Sequence, residues 1–351
     1  MLPFLLSTLL LLVPMLAESA EPALLQLETY QDPGTVHPRT DTLGFRVLIH
    51  ARDGHPVSSA RLKIHLKAPS TPWIGSTDFP VVEGSSLLNQ DIHVRGAMHS
   101  FQFVPPIRGT YTLTASVEPL PGDMSFAPTQ KSWQTTIQES PERKTNLAML
   151  IAILVTVGGL SGFVLGRSAA SAALLLFIVL PSQTLKAHGS HEHKKIAAPP
   201  PAEVKSKEGY RLEMDVVTPE PRVGELSEII ARYQNAEGEL QAALFHMEVK
   251  QLEHDHVVFS SDVSAPDGLL HWEGQFFDGS PHRVSLTAKP LMEENPGHLI
   301  RIERDVDVTG VEPPLRSVIK SFGLLMAITA LALVLGLLLG RYFPQQKGRL
   351  T

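Results

Sequence analysis

The feature that most constrains this chain is a pair of long, uncharged apolar runs. Leu147 to Gly166 carries no charged side chain and is followed by Arg167, and Ser321 to Gly340 is likewise uncharged and is followed by Arg341. A helix of that length crosses the hydrocarbon core of a bilayer. Only 19% of the chain is charged and 43% is hydrophobic, which suits a protein that combines membrane helices with globular parts. We therefore predict transmembrane helices at 147–166 and 321–340.

Two further apolar stretches predict export. Residues 1–19 form a leucine-rich run that ends in small residues, which is typical of a secretory signal peptide. Residues 168–185 begin directly after Arg167 and contain Pro181, so they predict either a second transmembrane helix or a signal-like segment inside the chain. A His- and Pro-rich linker follows at 186–208.

The second half of the chain repeats the first. The small residues and the closing arginine of the first apolar run return 174 positions later. The matches are Gly158 with Ala332, Gly162 with Gly336, Gly166 with Gly340, and Arg167 with Arg341. Outside these runs, Leu113–Ala115 returns as Leu286–Ala288, Asp53-Gly54 as Glu237-Gly238, and Leu27-Glu28 as Leu212-Glu213. This pattern indicates a duplicated unit of export signal, β domain and membrane anchor.

The position of the basic residues predicts that both β domains lie on the same side of a membrane. Basic residues follow each predicted helix at Arg167 and Arg341, which favours a cytoplasmic end for both helices. Both β domains then face the periplasm and the tail 341–351 lies in the cytoplasm, provided that 168–185 brings the chain back. The chain has no cysteine and no Asn-x-Ser/Thr sequence, which favours a protein of the bacterial inner membrane.

The two exported segments, 20–145 and 209–310, consist of short alternating runs broken by Gly and Pro, which is typical of antiparallel strands. The stretch 226–234 has helical propensity, but its alignment with 43–51 favours a strand. Each segment has the length of a small β-sandwich. We predict a mainly β fold with two such domains in tandem, and a single continuous globule across position 180 would contradict this arrangement.

A late strand motif carries a resemblance to a known family. Gly109-Thr110-Tyr111-Thr112-Leu113, with a weaker echo at Val284–Ala288, resembles the bacterial membrane-anchored domains of the YtkA-like and FixH-like kind. The resemblance covers each exported segment. It implies two immunoglobulin-like β-sandwich domains in tandem plus transmembrane helices, in a periplasmic module linked to metal or respiratory-enzyme handling. The segment Leu185–Lys195 also resembles the His-rich mature start of heavy-metal efflux adaptor proteins.

Two histidine clusters could supply metal ligands. His188, His191 and His193 lie in the linker, whereas His254 and His256 are two residues apart and would share one face of a strand. Neutral imidazole is a good ligand for Cu, Zn and Ni. The alternatives are a solvated tether for the linker histidines and a polar hairpin tip for the other pair. A copper-like set can also be drawn from His246, Met247 and Met214.

The stripes of small residues in both apolar runs predict close helix packing, within the chain or between chains in an oligomer. These helix-packing positions are Gly158, Gly162, Gly166, Ala332, Gly336 and Gly340. The sequence contains no G-x-S-x-G, H-E-x-x-H, P-loop or dinucleotide motif, and its basic residues are dispersed at a net charge of -6, so we expect neither an enzyme nor a nucleic-acid partner.

The function that these patterns favour is that of a membrane-anchored accessory protein of a heavy-metal efflux or metal-delivery system, with weak and transient metal binding by histidines. The alternative is a non-catalytic structural or adaptor protein that docks another membrane complex of the cell envelope through its β-sandwich domains. In both cases the lipid bilayer and another envelope membrane protein are the expected partners.

Overall fold

The computed structural model describes residues 21–51, 54–72, 77, 79–120, 126–167, 203–207, 209–291 and 299–343 of the 351-residue chain. The predicted signal peptide at 1–19, the apolar segment 168–185 and the linker up to residue 202 lie outside these residues. The last part of the predicted linker, Glu203–Lys207, is a β-strand.

The described residues form a mainly β protein with two long helices. The first half contains β1 (Leu24–Thr29), β2 (Leu43–His50), β3 (Ser59–Lys67), β4 (Ser86–Arg95), β5 (Met98–Phe103), β6 (Gly109–Glu118), β7 (Thr129–Ile137) and α1 (Pro141–Arg167). The second half contains β8 (Glu203–Lys207), β9 (Tyr210–Val216), β10 (Leu226–Asn235), β11 (Ala243–Gln251), β12 (His256–Ala265), β13 (Leu269–Gln275), β14 (Pro281–Pro290), β15 (Ile300–Asp307) and α2 (Leu315–Tyr342). The prediction of a strand at 226–234 is confirmed.

The helices α1 and α2 contain the two predicted spans, and both are long and apolar enough to cross a membrane. α1 begins six residues before the predicted span because the local sequence caps it there. The Ser140 hydroxyl accepts a hydrogen bond from the backbone N–H of Arg143, and Pro141 occupies the first helical position, where its missing N–H costs nothing.

Both sheets contain strands from both halves of the chain. One sheet has the order β1-β2-β5-β12-β11-β14-β15, and the other has the order β7-β6-β3-β4-β13-β10-β9-β8. The expectation of two separate sandwiches in tandem is therefore wrong, because the β part is one continuous body. The reason is that the inner edge strands of each half find hydrogen-bonding partners in the other half.

The strand pairs β5–β12 and β4–β13, which we call the junction, are related by an approximate two-fold symmetry. Phe101 pairs with Ser261 across one of them, and Leu88 pairs with Gly274 across the other. Positions 88 and 261 are 173 apart, and so are positions 101 and 274. Equivalent residues of the two halves thus exchange partners, as the identical surfaces of a symmetric dimer do. This relation supports the duplication that the sequence indicates.

Some of the sequence matches between the halves are also equivalent positions in the structure. Leu113 and Leu286 occupy equivalent places, opposite Leu66 on β3 and Met247 on β11. Gly54 and Gly238 lie in equivalent hairpin turns with φ of 84° and 83°, a conformation that glycine adopts without strain.

Two of the matches are displaced. Aligning 43–51 with 226–234 matches Phe45 with Glu228, whereas the strand registers make Phe45 equivalent to Ser227, one residue earlier. The structural match is fixed by burial, because every second residue of a strand faces the core. The match of Leu27-Glu28 with Leu212-Glu213 is wrong by four residues, since Leu25 and Met214 hold equivalent places.

One hydrophobic core extends through both halves. Alternate residues of the strands are buried, and large aromatic side chains meet at the junction. The rings of Phe101 and Phe259 are 6.4 Å apart, and those of Phe259 and Trp272 are 5.5 Å apart. Aromatic contacts of this kind add to the stabilisation from buried area, so the junction is part of the core.

His99 is buried on β5 beside this junction, 5% exposed, and its Nε2 atom has no hydrogen-bond partner among the described residues. Burial lowers the pKa of His99 to about 4, although the charge of Asp262 and a hydrogen bond with the backbone of Asp262 both act to raise it. The folded protein therefore keeps this imidazole neutral in a range where the unfolded chain binds a proton.

We predict that stability falls as the pH drops from the unfolded pKa of His99, 6.5, towards its folded pKa of about 4. Linkage gives a loss of roughly 3 kcal/mol over that range from this residue alone, and none above pH 6.5. His99→Phe should lose correspondingly less stability between pH 7.5 and pH 4.5 in urea unfolding of the full chain in detergent. His93→Phe, on the outer part of β4, is the control. Equal losses in His99→Phe and the unaltered protein would contradict the prediction.

Candidate functional site

The helices α1 and α2 pack against each other in parallel along the predicted small residues. A Cβ added at Gly162 would lie 2.0 Å from the carbonyl oxygen of Leu333, and one added at Gly336 would lie 2.1 Å from that of Gly159. The contacts advance along both helices in the same direction, from Gly158 beside Ala332 to Gly166 beside Gly340. The structure thus brings all six predicted positions together within one chain, where backbone meets backbone.

Arg167, at the end of α1, takes part in the same contact between the helices. Arg167 stacks its guanidinium 4.3 Å from the Phe163 ring centre and donates a 3.4 Å hydrogen bond to the carbonyl oxygen of Phe343. The carbonyls at a helix end lack partners within the helix, so a cation placed there is favourable. This arginine connects the ends of the two helices.

His254 and His256 do not share one face of a strand. Residues 252–255 form the turn between β11 and β12, and Asp255 adopts a positive φ of 52°. The Asp255 carboxylate lies 2.6 Å from the ammonium group of Lys250 across the turn. The hairpin-tip alternative is therefore the correct one, because an aspartate tolerates the left-handed conformation that the turn requires.

His282 occupies a corner that the first half closes with a tyrosine. In the first half, the hydroxyl of buried Tyr111 donates a hydrogen bond to the carbonyl oxygen of Ile107. In the second half, the Nδ1–H of His282 donates a 2.8 Å hydrogen bond to the carbonyl oxygen of Ser280. Ser280 is 173 positions after Ile107, the same offset that separates equivalent residues at the junction. Burial lowers the pKa of His282, so the ring stays neutral with Nδ1 as the donor and Nε2 as an acceptor.

These histidines line a cavity of about 270 Å³ between the two halves, on the side of the β body from which the helices leave. Its polar lining includes His254, His256, His282, Asp278 and Gln251, and the first half contributes Arg39, with Arg143 from α1. The structure brings the two predicted histidines together here with a third that the sequence did not indicate.

Arg39 is held in an uncommon backbone conformation at this cavity. Its φ is 68°, which costs an L residue with a long side chain about 1 kcal/mol or more. The loop is fixed by His37 and Asp41, whose Nδ1 and Oδ2 atoms are 2.9 Å apart, and by the Arg39 N–H, which donates to the carbonyl of Pro105. The guanidinium stacks 5.2 Å from the ring centre of Phe79.

The other metal-ligand candidates are not brought together. Met214 and Met247 are buried in the core, whereas His246 lies on the outer face of β11, 2.7 Å from Asp262. Burial acts to lower the pKa of His246, but the carboxylates of Asp262 and Glu248 outweigh it and raise that pKa. Among the described residues, no group of three or more His, Asp or Glu side chains is close enough to hold a metal ion. His188, His191 and His193 lie outside the described residues.

No protein-family model and no curated protein matches the chain. Three solved structures are similar to parts of it at low scores. A DUF4426 family protein from Pseudomonas aeruginosa PAO1 is 9% identical over 31% of this chain and 99% of its own, with a TM-score of 0.22. The E. coli alpha-2-macroglobulin in its native conformation is 9% identical over 85% of this chain and 14% of its own, at 0.24. The Yersinia pseudotuberculosis adhesin InvE is 10% identical over 80% of this chain and 58% of its own, with a TM-score of 0.19.

We predict that Gly162→Ala separates the two helices by about 1 Å or more, because its methyl group would overlap a carbonyl oxygen of α2. Spin labels on cysteines at Leu160 and Leu331, both exposed, should then give a longer and broader distance distribution in detergent. Gly159→Ala is the matched control, since its Cβ would stand 4.0 Å from the nearest atom of α2. Identical distributions for both variants would show that this contact does not hold the helices.

Proposed function

We propose that this chain is a non-catalytic, membrane-anchored adaptor of the bacterial inner membrane, which holds a β body in the periplasm for docking to another envelope membrane protein. The observation that carries the proposal is the double connection of the two halves, through the junction in the β body and through the parallel packing of α1 and α2. A body connected twice has a fixed position above its anchors, which is what an adaptor requires.

The connectivity supports one compartment for both halves. Strands that exchange hydrogen bonds cannot lie on opposite sides of a bilayer. Each helix follows the last strand of its half, β7 or β15, and the helices run parallel, so both leave the β body in the same direction. If α1 crosses the membrane, the chain must recross it between Arg167 and Glu203, which is the part that we assign to the apolar run 168–185.

We infer that each half is an immunoglobulin-like sandwich. In the first half, the first, second and fifth strands share one sheet, and the seventh, sixth, third and fourth share the other. That division is typical of immunoglobulin-like domains, and Tyr111, near the start of β6, supplies the tyrosine corner that such domains have near the start of their sixth strand. The relation to YtkA-like and FixH-like domains stays a prediction.

The topology can be tested by cysteine labelling, because the chain has no cysteine of its own. We predict that Gln134→Cys on β7 and Glu303→Cys on β15, both exposed, react with a membrane-impermeant maleimide in spheroplasts. Gln346→Cys, in the tail after α2, should react only after detergent treatment. The protein should also stay in the membrane fraction after an alkaline wash. Protection of either β position in intact spheroplasts would sink the proposed arrangement.

A second candidate function is metal handling, as an accessory to heavy-metal efflux or delivery. The specific observation that favours it is the convergence of His254, His256 and His282 on one cavity. The absence of a preformed ligand group among the described residues fits only weak and transient binding of Cu, Zn or Ni. His188, His191 and His193, in the linker before β8, would bind the metal ion weakly and pass it on.

Metal titration of the full chain in detergent, with ¹⁵N-labelled histidines followed by NMR, tests this candidate. A fragment of the second half is unsuitable because β12 and β13 would lose their partners β5 and β4. We predict that Zn(II), Cu(II) or Ni(II) shifts the cavity resonances, and that the pair His254→Gln and His256→Gln abolishes the shifts. The pair His246→Gln and His271→Gln, on outer faces, should leave them intact. No shift in any histidine would exclude metal handling.

A further inference from the structure

The strand β7 forms one edge of its sheet, and one side of its backbone is free. Its residues pair with β6, from Gly109 opposite Ile137 to Val117 opposite Thr129. Among the described residues, the main chain of β7 makes no hydrogen bond to any other strand, and the turn Pro33–Thr35 lies beside it without bonding to it. Since alternate residues of an edge strand direct their N–H and C=O groups away from the partner, β7 presents a row of free donors and acceptors.

The other three edges of the two described sheets carry features that discourage the addition of a strand. The carbonyl of Leu25 on β1 already accepts a 3.0 Å hydrogen bond from the Lys131 ammonium group. The strand β8 is short and contains charged side chains at Glu203, Lys205 and Lys207. The strand β15 has charged side chains at all four of its exposed positions, Arg301, Glu303, Asp305 and Asp307. The edge of β7 is the one that remains.

The sequence of β7 gives its edge no such protection. The strand reads TQKSWQTTI, with no proline and one charged residue, Lys131. The Lys131 side chain turns back onto the β body, where its ammonium lies 5.4 Å from the Trp133 ring centre and bonds the Leu25 carbonyl. The outward side chains are exposed and uncharged, at Gln130, Ser132, Gln134 and Thr136. A strand laid beside β7 would therefore take no free charge out of water.

The face next to this edge is neutral, whereas the equivalent face of the second half is charged. Thr110 on β6 pairs with Thr136 on β7, and their hydroxyl oxygens are 2.9 Å apart. The corresponding pair of the second half, 173 positions after Thr110, is Arg283 with Asp305, joined by two charge-assisted hydrogen bonds. Unpaired charge is costly to bury, so the neutral face of β7 suits an added segment whose own side chains are uncharged.

The path of the chain sets the direction of an added strand. β7 ends at Ile137 and α1 begins at Pro141, so β7 runs towards its anchor. Antiparallel pairing, which continues the pattern of this sheet and is the commoner kind, places beside it a strand that runs away from the anchor. A chain takes that direction directly after a helix that leaves the membrane. Antiparallel pairing of β7 with β7 of a second copy would instead point the two α1 helices in opposite directions.

We propose that the free edge of β7 binds an extended, uncharged segment of a partner membrane protein by strand addition, antiparallel to β7 and up to its nine residues in length. Main-chain hydrogen bonds give the affinity, and the neutral outward side chains of β7 select against charge in the segment. This surface deepens the proposed adaptor function. The direction of the segment rests on the anchoring of α1, whereas the free edge does not.

The probe for this edge is a synthetic peptide with the sequence of β6, Gly109–Val117, because that strand pairs with β7 on its other side. Binding to the full chain in detergent is followed by thermophoresis with a dye on Glu303→Cys. Two isomers of the peptide carry backbone N-methyl groups, one at Tyr111, Leu113 and Ala115 and the other at Thr112, Thr114 and Ser116.

An added edge strand donates only the N–H groups of one parity. One isomer should therefore bind like the unmethylated peptide, and the other should bind roughly fivefold more weakly for each hydrogen bond lost. The two isomers have the same composition, so detergent or apolar contacts cannot separate them. Equal binding of both isomers, or no binding of the unmethylated peptide, overturns the inference.

Distances between spin labels locate the bound peptide. With a nitroxide on the peptide amino terminus, the shortest distance should be to a label on Thr136→Cys. A label on Gln130→Cys should be farther away, since it lies six residues, or about 20 Å, along β7. A shortest distance to Gln130→Cys would overturn the antiparallel direction, and a shortest distance to Glu303→Cys on β15 would overturn the assignment to β7.

Charge placed on the edge gives a matched pair of variants. Ser132→Lys combined with Gln134→Lys puts two ammonium groups on the outward face of β7 and should abolish binding of the unmethylated peptide. Thr112→Lys combined with Thr114→Lys puts the same charges on β6, one strand away from the edge, and should leave binding intact. Thermal melting verifies that both variants are folded. Equal loss in the two variants would overturn the inference.

The remaining occupants and the proposed function are tested separately. A disulfide between Gln134→Cys residues of two copies in membranes would assign the edge to a second copy and overturn the proposal. A chain that leaves the membrane fraction on alkaline washing but binds the peptide at β7 would refute the anchoring and leave the free edge standing. A chain that is anchored with both halves in the periplasm but binds no peptide would refute this edge and leave the adaptor proposal standing.

Discussion

The antiparallel pairing at the junction is the interaction on which the remaining structure depends. An isolated half would end in two strands, β4 and β5 or β12 and β13, with unpaired backbone groups on one side, and such edges invite association with other chains. Each half instead completes both sheets of the other. The pairing buries Phe101, Phe259 and Trp272 in a shared core and fixes the halves at one relative position. The direction of the helices and the existence of a cavity between the halves both follow from it.

The same approximate two-fold relation continues into the helices under different physics. In the β body, association is maintained by backbone hydrogen bonds and by burial of apolar surface from water. The helices α1 and α2, which are long and apolar enough to cross a membrane, instead pack through close approach of their backbones at small residues. Equivalent residues are 173 apart in the junction and 174 apart in the helices, so one symmetry relates both levels. Because each stripe faces the other, a further membrane partner would have to use outward residues such as Val164 or Leu338.

The local elements could be predicted from the sequence, whereas the long-range partners could not. Uncharged runs and period-two alternation are local signals, so both helices and the strand at 226–234 are found correctly. The partner of an edge strand has no such signal, because β12 alternates in the same way whether it pairs with β5 or faces solvent. The sequence left both a strand face and a hairpin tip open for His254 and His256, since it does not reveal that Asp255 turns the chain. His282 and Arg39 were missed because their roles come from the corner carbonyl of Ser280 and from a left-handed loop.

The approximate two-fold relation gives the β body two equivalent corners, which differ in the residue that closes them. His282 of the second half is equivalent to Gly109, which has a φ of 125° and whose added Cβ would meet Pro69 at 2.6 Å. The first corner therefore has no room for any side chain and uses Tyr111 to reach its carbonyl, whereas the second accommodates an imidazole. A symmetric dimer of one unit would have carried the same residue at both corners. In this single chain the two corners differ, and Arg39 of the first half and His282 of the second line the same cavity.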